Sequence, residues 1–183
     1  MILLALMLQS VAPAASAPAP QPSASAADTL KPIDAGVAIE TFRAVCWEHF
    51  RDPEAFHAAL VDAAVPLAAA PRADPAQPAE VYRSDEMVMN YVASDSLPVN
   101  VPSRQCRLRV QLAGAADQLA LAARIGGVLK VGSGRTRTNP SGAETSWDVA
   151  APDGRIVRLI LATRNAARGG TELRLSALLL APR

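Results

Sequence analysis

Cys46 and His49 lie three residues apart in ETFRAVCWEHF, residues 40–50, and a thiol beside an imidazole can act as nucleophile and base. Such a pair needs an exposed thiol of low pKa and a third residue that orients the base. The sequence shows no such residue, so it predicts no catalytic role for Cys46. His57 follows His49 by eight residues, a spacing that indicates no shared metal. We expect neither a metal nor a cofactor.

The chain's two cysteines, Cys46 and Cys106, allow one intramolecular disulfide. Cys46 shares an apolar helical face with Ile39, Phe42 and Phe50, because these residues recur at three- and four-residue spacing. Cys106 lies on the apolar side of an alternating strand. A disulfide between them would join a helix to the sheet that it covers. The alternatives are two buried thiols, or thiols that pair between chains.

Two further groups of residues can carry chemistry. Glu80, Asp85, Glu86 and Asp95 include enough carboxylates for a pair that hydrolyses glycosides. Neighbouring acids in a turn are more often solvated surface, and we favour that interpretation. The stretch VGSGRTRT, residues 131–138, places glycine amides where a phosphate can contact them. It lacks the ending of a P-loop and a following helix, so we interpret it as a strand with a bulge.

The N-terminal stretch is typical of a secretory signal. An apolar run from Ile2 to Leu8 precedes a segment of Ala, Pro and Ser, and the run is too short to span a bilayer. No Lys or Arg precedes Ile2, so either the N-terminal amine serves alone or the true start lies upstream. We expect residues 1–27 to be a signal peptide and a disordered segment. The protein is then periplasmic or secreted, without a transmembrane anchor after cleavage.

Charge is divided unevenly along the chain. Residues 28–100 contain five basic and twelve acidic side chains, whereas residues 101–183 contain thirteen basic and five acidic ones. A basic half can attract an anionic partner such as a cell-surface polymer. We favour the simpler interpretation that the halves fold together and their charges interleave at the surface. No aromatic-rich basic strand is present, so we expect no nucleic-acid binding.

The order of predicted elements indicates the fold class. Helices are predicted at residues 37–50, 51–64 and 114–129, with an extended connector at residues 66–78. Asp52 is predicted to cap the second helix, with Pro53 in its first helical position. Strands are predicted at residues 79–84, 86–93, 104–112, 129–138, 144–150, 155–164 and 171–181. We therefore expect a single two-layer α+β domain, residues 33–183, with helices on one face of a largely antiparallel sheet.

The same patterns predict which side chains point outward. Arg107 and Arg109 alternate with apolar residues, so we expect them on the sheet face opposite the helices, where a partner can bind. Trp47 falls off the apolar face of the first helix and is the best candidate for an exposed anchor. The buried stripe of the third helix is expected to contain Leu119, Ala122, Ala123 and Ile125.

Two short stretches carry a resemblance. FRAVC, residues 42–46, and CRLRV, residues 106–110, follow a signal-like N-terminus. This arrangement resembles small exported proteins of proteobacteria over about residues 37–183. The resemblance implies an envelope location and a cysteine pair, and it implies no activity or catalytic residue.

We therefore expect a non-enzymatic binding or interaction module of the cell envelope. Its partner would be an envelope protein or an anionic envelope polymer. One alternative is an envelope hydrolase that uses carboxylates, and another is a structural component of the envelope.

Overall fold

The computed structural model of the protein describes residues 29–71, 78–94, 102–166 and 170–180. The predicted signal segment lies outside these residues. The helices are α1 (Ala35–Thr41), which continues as a π-helical segment (Phe42–Trp47), α2 (Pro53–Val61) and α3 (Gln118–Val128). The strands are β1 (Pro32–Ile33), β2 (Ala68–Ala70), β3 (Ala79–Arg83), β4 (Met87–Ala93), β5 (Arg104–Leu112), β6 (Arg135–Asn139), β7 (Gly142–Ala150), β8 (Ile156–Asn165) and β9 (Thr171–Leu179).

The three α-helices of the described ranges begin at aspartates. Asp34, Asp52 and Asp117 each have an extended backbone, and each side chain accepts hydrogen bonds from two backbone N–H groups of the first turn. These bonds satisfy donors that have no partner within the helix. The predicted cap at Asp52, with Pro53 in the first helical position, is confirmed.

The strands form one sheet in the order β2-β3-β4-β5-β9-β8-β7-β6, and every neighbouring pair in this order is antiparallel. The short strand β1 runs parallel to the end of β5, beyond the last residue that pairs with β4. The predicted α+β class with a largely antiparallel sheet is confirmed.

The sheet departs from the sequence prediction at its two outer strands. Strand β2 lies inside the predicted connector. The sequence does not predict this strand, because its three alanines show no alternation and lie between proline-rich stretches. Strand β6 begins at Arg135 instead of residue 129. The chain between α3 and β6 turns through Lys130 and Gly132, whose φ angles of 55° and 71° interrupt an extended strand.

The sheet contains the same arrangement twice. Helix α2 is followed by the antiparallel strands β2 to β5, and α3 is followed by the antiparallel strands β6 to β9. The last strands of the two units, β5 and β9, pair along nine residues each, and Leu108 faces Leu175 at the centre of that pairing. The order of the strands is therefore mirrored on the two sides of the β5–β9 pairing, although the sequence shows no apparent repeat.

The core lies between the sheet and the helices. The π-helical segment contacts the central strands β5 and β9, α2 packs at the β3 and β4 side, and α3 packs at the β7 side. Under α2, the rings of Phe56 and Tyr91 stack with centroids 3.7 Å apart. The hydroxyl of Tyr91 donates a hydrogen bond to the carbonyl of Phe50 at 3.2 Å.

The predicted face of α3 is wrong in part. Leu119 is 67% exposed and Ala123 is exposed, while Leu121, Ala122 and Ile125 are buried. The buried stripe starts with Gln118, and the three buried residues follow it at three-, four- and seven-residue spacing.

Gln118 can occupy this buried position because its hydrogen bonds are satisfied. Its amide nitrogen donates to Thr145 Oγ1 at 2.8 Å and to the Leu161 carbonyl at 3.3 Å, and its amide oxygen accepts from Thr163 Oγ1 at 2.7 Å. A buried amide with these partners avoids the cost of unsatisfied polar groups. The hydrophobic pattern of the helix therefore begins with a polar residue.

Candidate functional site

Cys46 and Cys106 form the predicted disulfide, with their Cα atoms 5.6 Å apart. The bond joins the π-helical segment to strand β5. Both sulfur atoms are consumed in it, so Cys46 has no thiolate that could act as a nucleophile. His49 is therefore not the base of a thiol enzyme.

His57 lies beside Glu80 and Tyr82 at the contact between α2 and β3. His57 Nε2 is 2.8 Å from Glu80 Oε2, and the hydroxyl of Tyr82 donates to the same carboxylate oxygen. Phe56 packs edge-on against Tyr82, so the cluster fastens the helix to the sheet. Across the described ranges, no three His, Cys, Asp or Glu side chains are grouped so that they could hold a metal ion.

The predicted carboxylates do not assemble a hydrolytic pair. Asp85 binds Lys31 at 2.6 Å, and this hydrogen bond lowers the pKa of Asp85, whereas a general acid needs a raised pKa. Glu86 is its neighbour in the turn. Glu80 lies in β3, which ends at Arg83 before the turn, and its carboxylate contacts His57 and Tyr82. Asp95 lies outside the described residues.

The sheet face opposite the helices, called the outer face below, is strongly basic. The strand register places every second residue on it, and the burial of Cys106, Leu108 and Val110 confirms that Arg107 and Arg109 point the other way. Eight arginines of the described strands share this face: Arg83, Arg107, Arg109, Arg135, Arg137, Arg158, Arg164 and Arg174. Three strand carboxylates accompany them: Glu144, Asp148 and Glu172.

Part of this charge is neutralised within the face. Arg158 makes two hydrogen bonds to Asp148, with Nε to Oδ1 at 2.7 Å and Nη2 to Oδ2 at 2.9 Å, and the hydrogen bonding raises the pKa of Arg158. Glu172 accepts a bond from Arg174 Nε at 2.6 Å and lies 3.8 Å from Arg109 Nη1. Arg158 binds Asp148 in a bidentate way, and Arg109 and Arg174 share Glu172. Such contacts hold the guanidinium groups in fixed orientations.

Four arginines of the outer face remain without an ion pair to any described residue: Arg107, Arg135, Arg137 and Arg164. All four are exposed. Arg107 donates a hydrogen bond to the side chain of Gln105 at 3.0 Å, which leaves its charge uncompensated. The face therefore presents several free cations to solvent.

The opposite side of the molecule is acidic. Between residues 34 and 62 the helix layer contains six carboxylates, Asp34, Glu40, Glu48, Asp52, Glu54 and Asp62, and two arginines, Arg43 and Arg51. Glu40 and Glu48 both bind Arg43, and these bonds raise its pKa. Charges therefore interleave within the outer face, where Asp148 and Glu172 pair with arginines, while the excess charge is basic on the outer face and acidic in this part of the helix layer.

A pocket of about 430 Å³ opens on the outer face beside β6, β7 and β8. Its polar lining is Ser133, Arg135, Arg137, Glu144, Ser146, Asp148 and Arg158. In the pairing of β6 with β7, Arg135 lies opposite Ser146, and Arg137 lies opposite Glu144. The sequence prediction for residues 131–138 concerned their glycine amides and not these side chains, although the alternation RTRT places both arginines on one side of a strand.

Trp47, the predicted exposed anchor, is partly buried and packs against the core. With Phe50 and Val157 it lines a cleft of about 120 Å³. This volume is below the range of about 300–1,000 Å³ for small-molecule sites. Trp47 does not lie on the outer face with Arg107 and Arg109.

A scan against protein-family models and searches of curated proteins and of solved structures found no match. Among the described residues, no helix has the length and apolar character needed to cross a membrane.

Proposed function

We propose that this protein is a non-enzymatic binding module of the cell envelope, and that its outer face binds an anionic envelope polymer. The observation that carries the proposal is the charge of that face, eight arginines against three carboxylates, with four arginines free of ion pairs to described residues. A face of one sign attracts polyanions from a distance and retains them by local pairing.

The spacing of the arginines favours a polymer with repeated charges over a single small anion. Arg135 and Arg137 are two residues apart on one side of β6, roughly 7 Å. Arg109 and Arg174 are direct partners on the adjacent strands β5 and β9. Guanidinium groups bind carboxylate and phosphate in a bidentate geometry, so such an array suits a chain of anionic groups.

The envelope location rests on different observations. A disulfide is typical of proteins that fold in an oxidising compartment, and Cys46 and Cys106 are the cysteine pair that the resemblance to exported proteins implies. The signal-like N-terminus supports the same compartment.

Two triple variants with equal loss of charge test the proposal. R107Q/R135Q/R137Q removes three free cations from the outer face, and R43Q/R51Q/R124Q removes three cations from the helix layer. Retention on immobilised heparin, used as a polyanionic probe, is measured over a salt gradient.

We expect the outer-face variant to lose roughly 100-fold in affinity, from about 1 kcal/mol for each basic side chain near an anionic surface. The control variant should elute close to the unmodified protein. Equal losses in the two variants would mean that net charge alone is responsible, and the proposed face would then be wrong. An unmodified protein that passes through the column at low salt would contradict polyanion binding altogether.

A further inference from the structure

The pocket beside β6 combines cations with groups that recognise hydroxyls. Arg135 and Arg137 supply two guanidinium groups without ion pairs to described residues, and Arg158 is held in place by Asp148. Glu144 also lines the pocket, is exposed, and forms no hydrogen bond or ion pair with another described residue. An unpaired carboxylate repels a plain polyanion, but it accepts hydrogen bonds from hydroxyl groups.

The remaining lining fits the body of a sugar ring. Ser146 and Ser133 add hydroxyl groups, each of which can donate and accept, and Ile160 adds a partly exposed apolar surface. The volume of about 430 Å³ is within the range of small-ligand sites.

The wall of the pocket at residues 131–133 is fixed against the core. The indole N–H of Trp147 donates to the Gly132 carbonyl at 3.1 Å, and the backbone N–H of Val131 donates to the Gly126 carbonyl at 3.1 Å. A Cβ atom at Gly126 would lie 2.4 Å from the Gly132 oxygen, so glycine permits this close approach. This part of the wall therefore loses little conformational freedom when the pocket binds a ligand.

We propose that this pocket binds one carboxylated sugar unit of an acidic polysaccharide. Arg135 and Arg137 bind the sugar carboxylate, and Glu144 accepts hydrogen bonds from the sugar hydroxyls. The inference rests on the proposed function and narrows it, because it separates acidic polysaccharides from polyanions that lack hydroxyl groups.

The proposed role of Glu144 predicts that removing its carboxylate changes the affinities for a sugar acid and for a plain polyanion in opposite directions. The E144A variant removes the carboxylate, and E54A removes an exposed carboxylate from α2 as the matched control. Affinities for trigalacturonate and for inorganic triphosphate are measured by calorimetry at fixed ionic strength. Circular dichroism of each variant verifies that the fold is retained.

We expect E144A to weaken trigalacturonate binding about tenfold, as loss of a hydrogen bond to a charged group implies, and to strengthen triphosphate binding. R135Q/R137Q should weaken trigalacturonate binding by more than tenfold, and E54A should change neither affinity. If E144A strengthens binding of both ligands, or if triphosphate binds as tightly as trigalacturonate, the sugar site is wrong.

Failure of this inference is distinguishable from failure of the proposed function. A protein that ignores trigalacturonate but loses heparin retention in R107Q/R135Q/R137Q, and not in the control triple variant, would overturn the sugar site alone. The basic outer face would then remain the polymer-binding surface.

Discussion

Tyr91 combines a buried ring with a polar end at the contact between α2 and the sheet. Its ring stacks on Phe56, and its hydroxyl donates to the Phe50 carbonyl. Burial raises the pKa of Tyr91 to about 12, because the ionised phenolate would lose its hydration. In the unfolded chain a tyrosine titrates near 10. The folded state therefore holds this proton more tightly than the unfolded state does.

The sign of this difference predicts how stability depends on pH. The contribution of Tyr91 is fully present below about pH 10 and is lost as the pH rises through its folded pKa of about 12. At neutral pH we expect Y91F to lower the free energy of unfolding by about 1 kcal/mol, the typical value of one hydrogen bond. Urea unfolding measures this effect. The free energy of unfolding of the unmodified protein minus that of Y91F should be smaller at pH 11.5 than at pH 8.

The absorbance of tyrosinate gives a direct measurement of the same effect. Tyr82 and Tyr91 are the two tyrosines of the chain, so a Y82F background leaves Tyr91 as the only phenol that titrates. We expect the titration midpoint of Tyr91 to lie well above that of free tyrosine. A midpoint near 10 in the folded protein would contradict the raised pKa.

At the scale of secondary structure, the disulfide holds the helix layer on the sheet. The π-helical segment contacts both central strands, and the bond from Cys46 to Cys106 joins it covalently to one of them. The bond closes a loop of 60 residues that contains α2 and strands β2, β3 and β4. Cross-linking so long a loop reduces the conformational entropy of the unfolded chain.

We expect C46A/C106A to lower the free energy of unfolding by roughly 4 kcal/mol, the chain-entropy value for a loop of this length. Urea unfolding with and without dithiothreitol is the measurement. Dithiothreitol should shift the unfolding midpoint of the unmodified protein to a lower urea concentration. The midpoint of the double variant should not change. Unchanged stability in both comparisons would show that the bond contributes nothing to the fold.

At the scale of the whole molecule, two similar units meet at one seam. Strands β5 and β9 pair over their full length, and Leu108 and Leu175 face each other at its centre, each 1% exposed. The outer face is continuous across this seam, with Arg109 directly opposite Arg174. The integrity of the proposed binding face therefore depends on the packing beneath it.

The seam and the corrected face of α3 can be tested together. We expect L175A to lower the free energy of unfolding by about 2–5 kcal/mol, as is usual when a buried leucine is truncated. L119A should change it by less than about 0.5 kcal/mol, because Leu119 is 67% exposed. Chemical unfolding of both variants is the measurement. A large loss in L119A would restore the face predicted from the sequence.

Local patterns were sufficient for much of the fold. Alternation at residues 104–112 identified the buried side of β5, and the position of Asp52 before a proline identified the start of α2. The face of α3 was misassigned because Gln118 is buried through partners on β7 and β8, which lie 27 to 45 residues further along the chain. No helical periodicity contains that information.

The sequence by itself determined which side chains alternate, which cysteines are available to pair, and that the basic residues are concentrated in the second half. Only the tertiary structure decided which strands are neighbours. Arg109 of β5 pairs with Arg174 of β9, 65 residues away, and such pairings bring arginines from separate strands onto one face. Strand order follows from the packing of the whole core, and that packing is a property of contacts between distant segments.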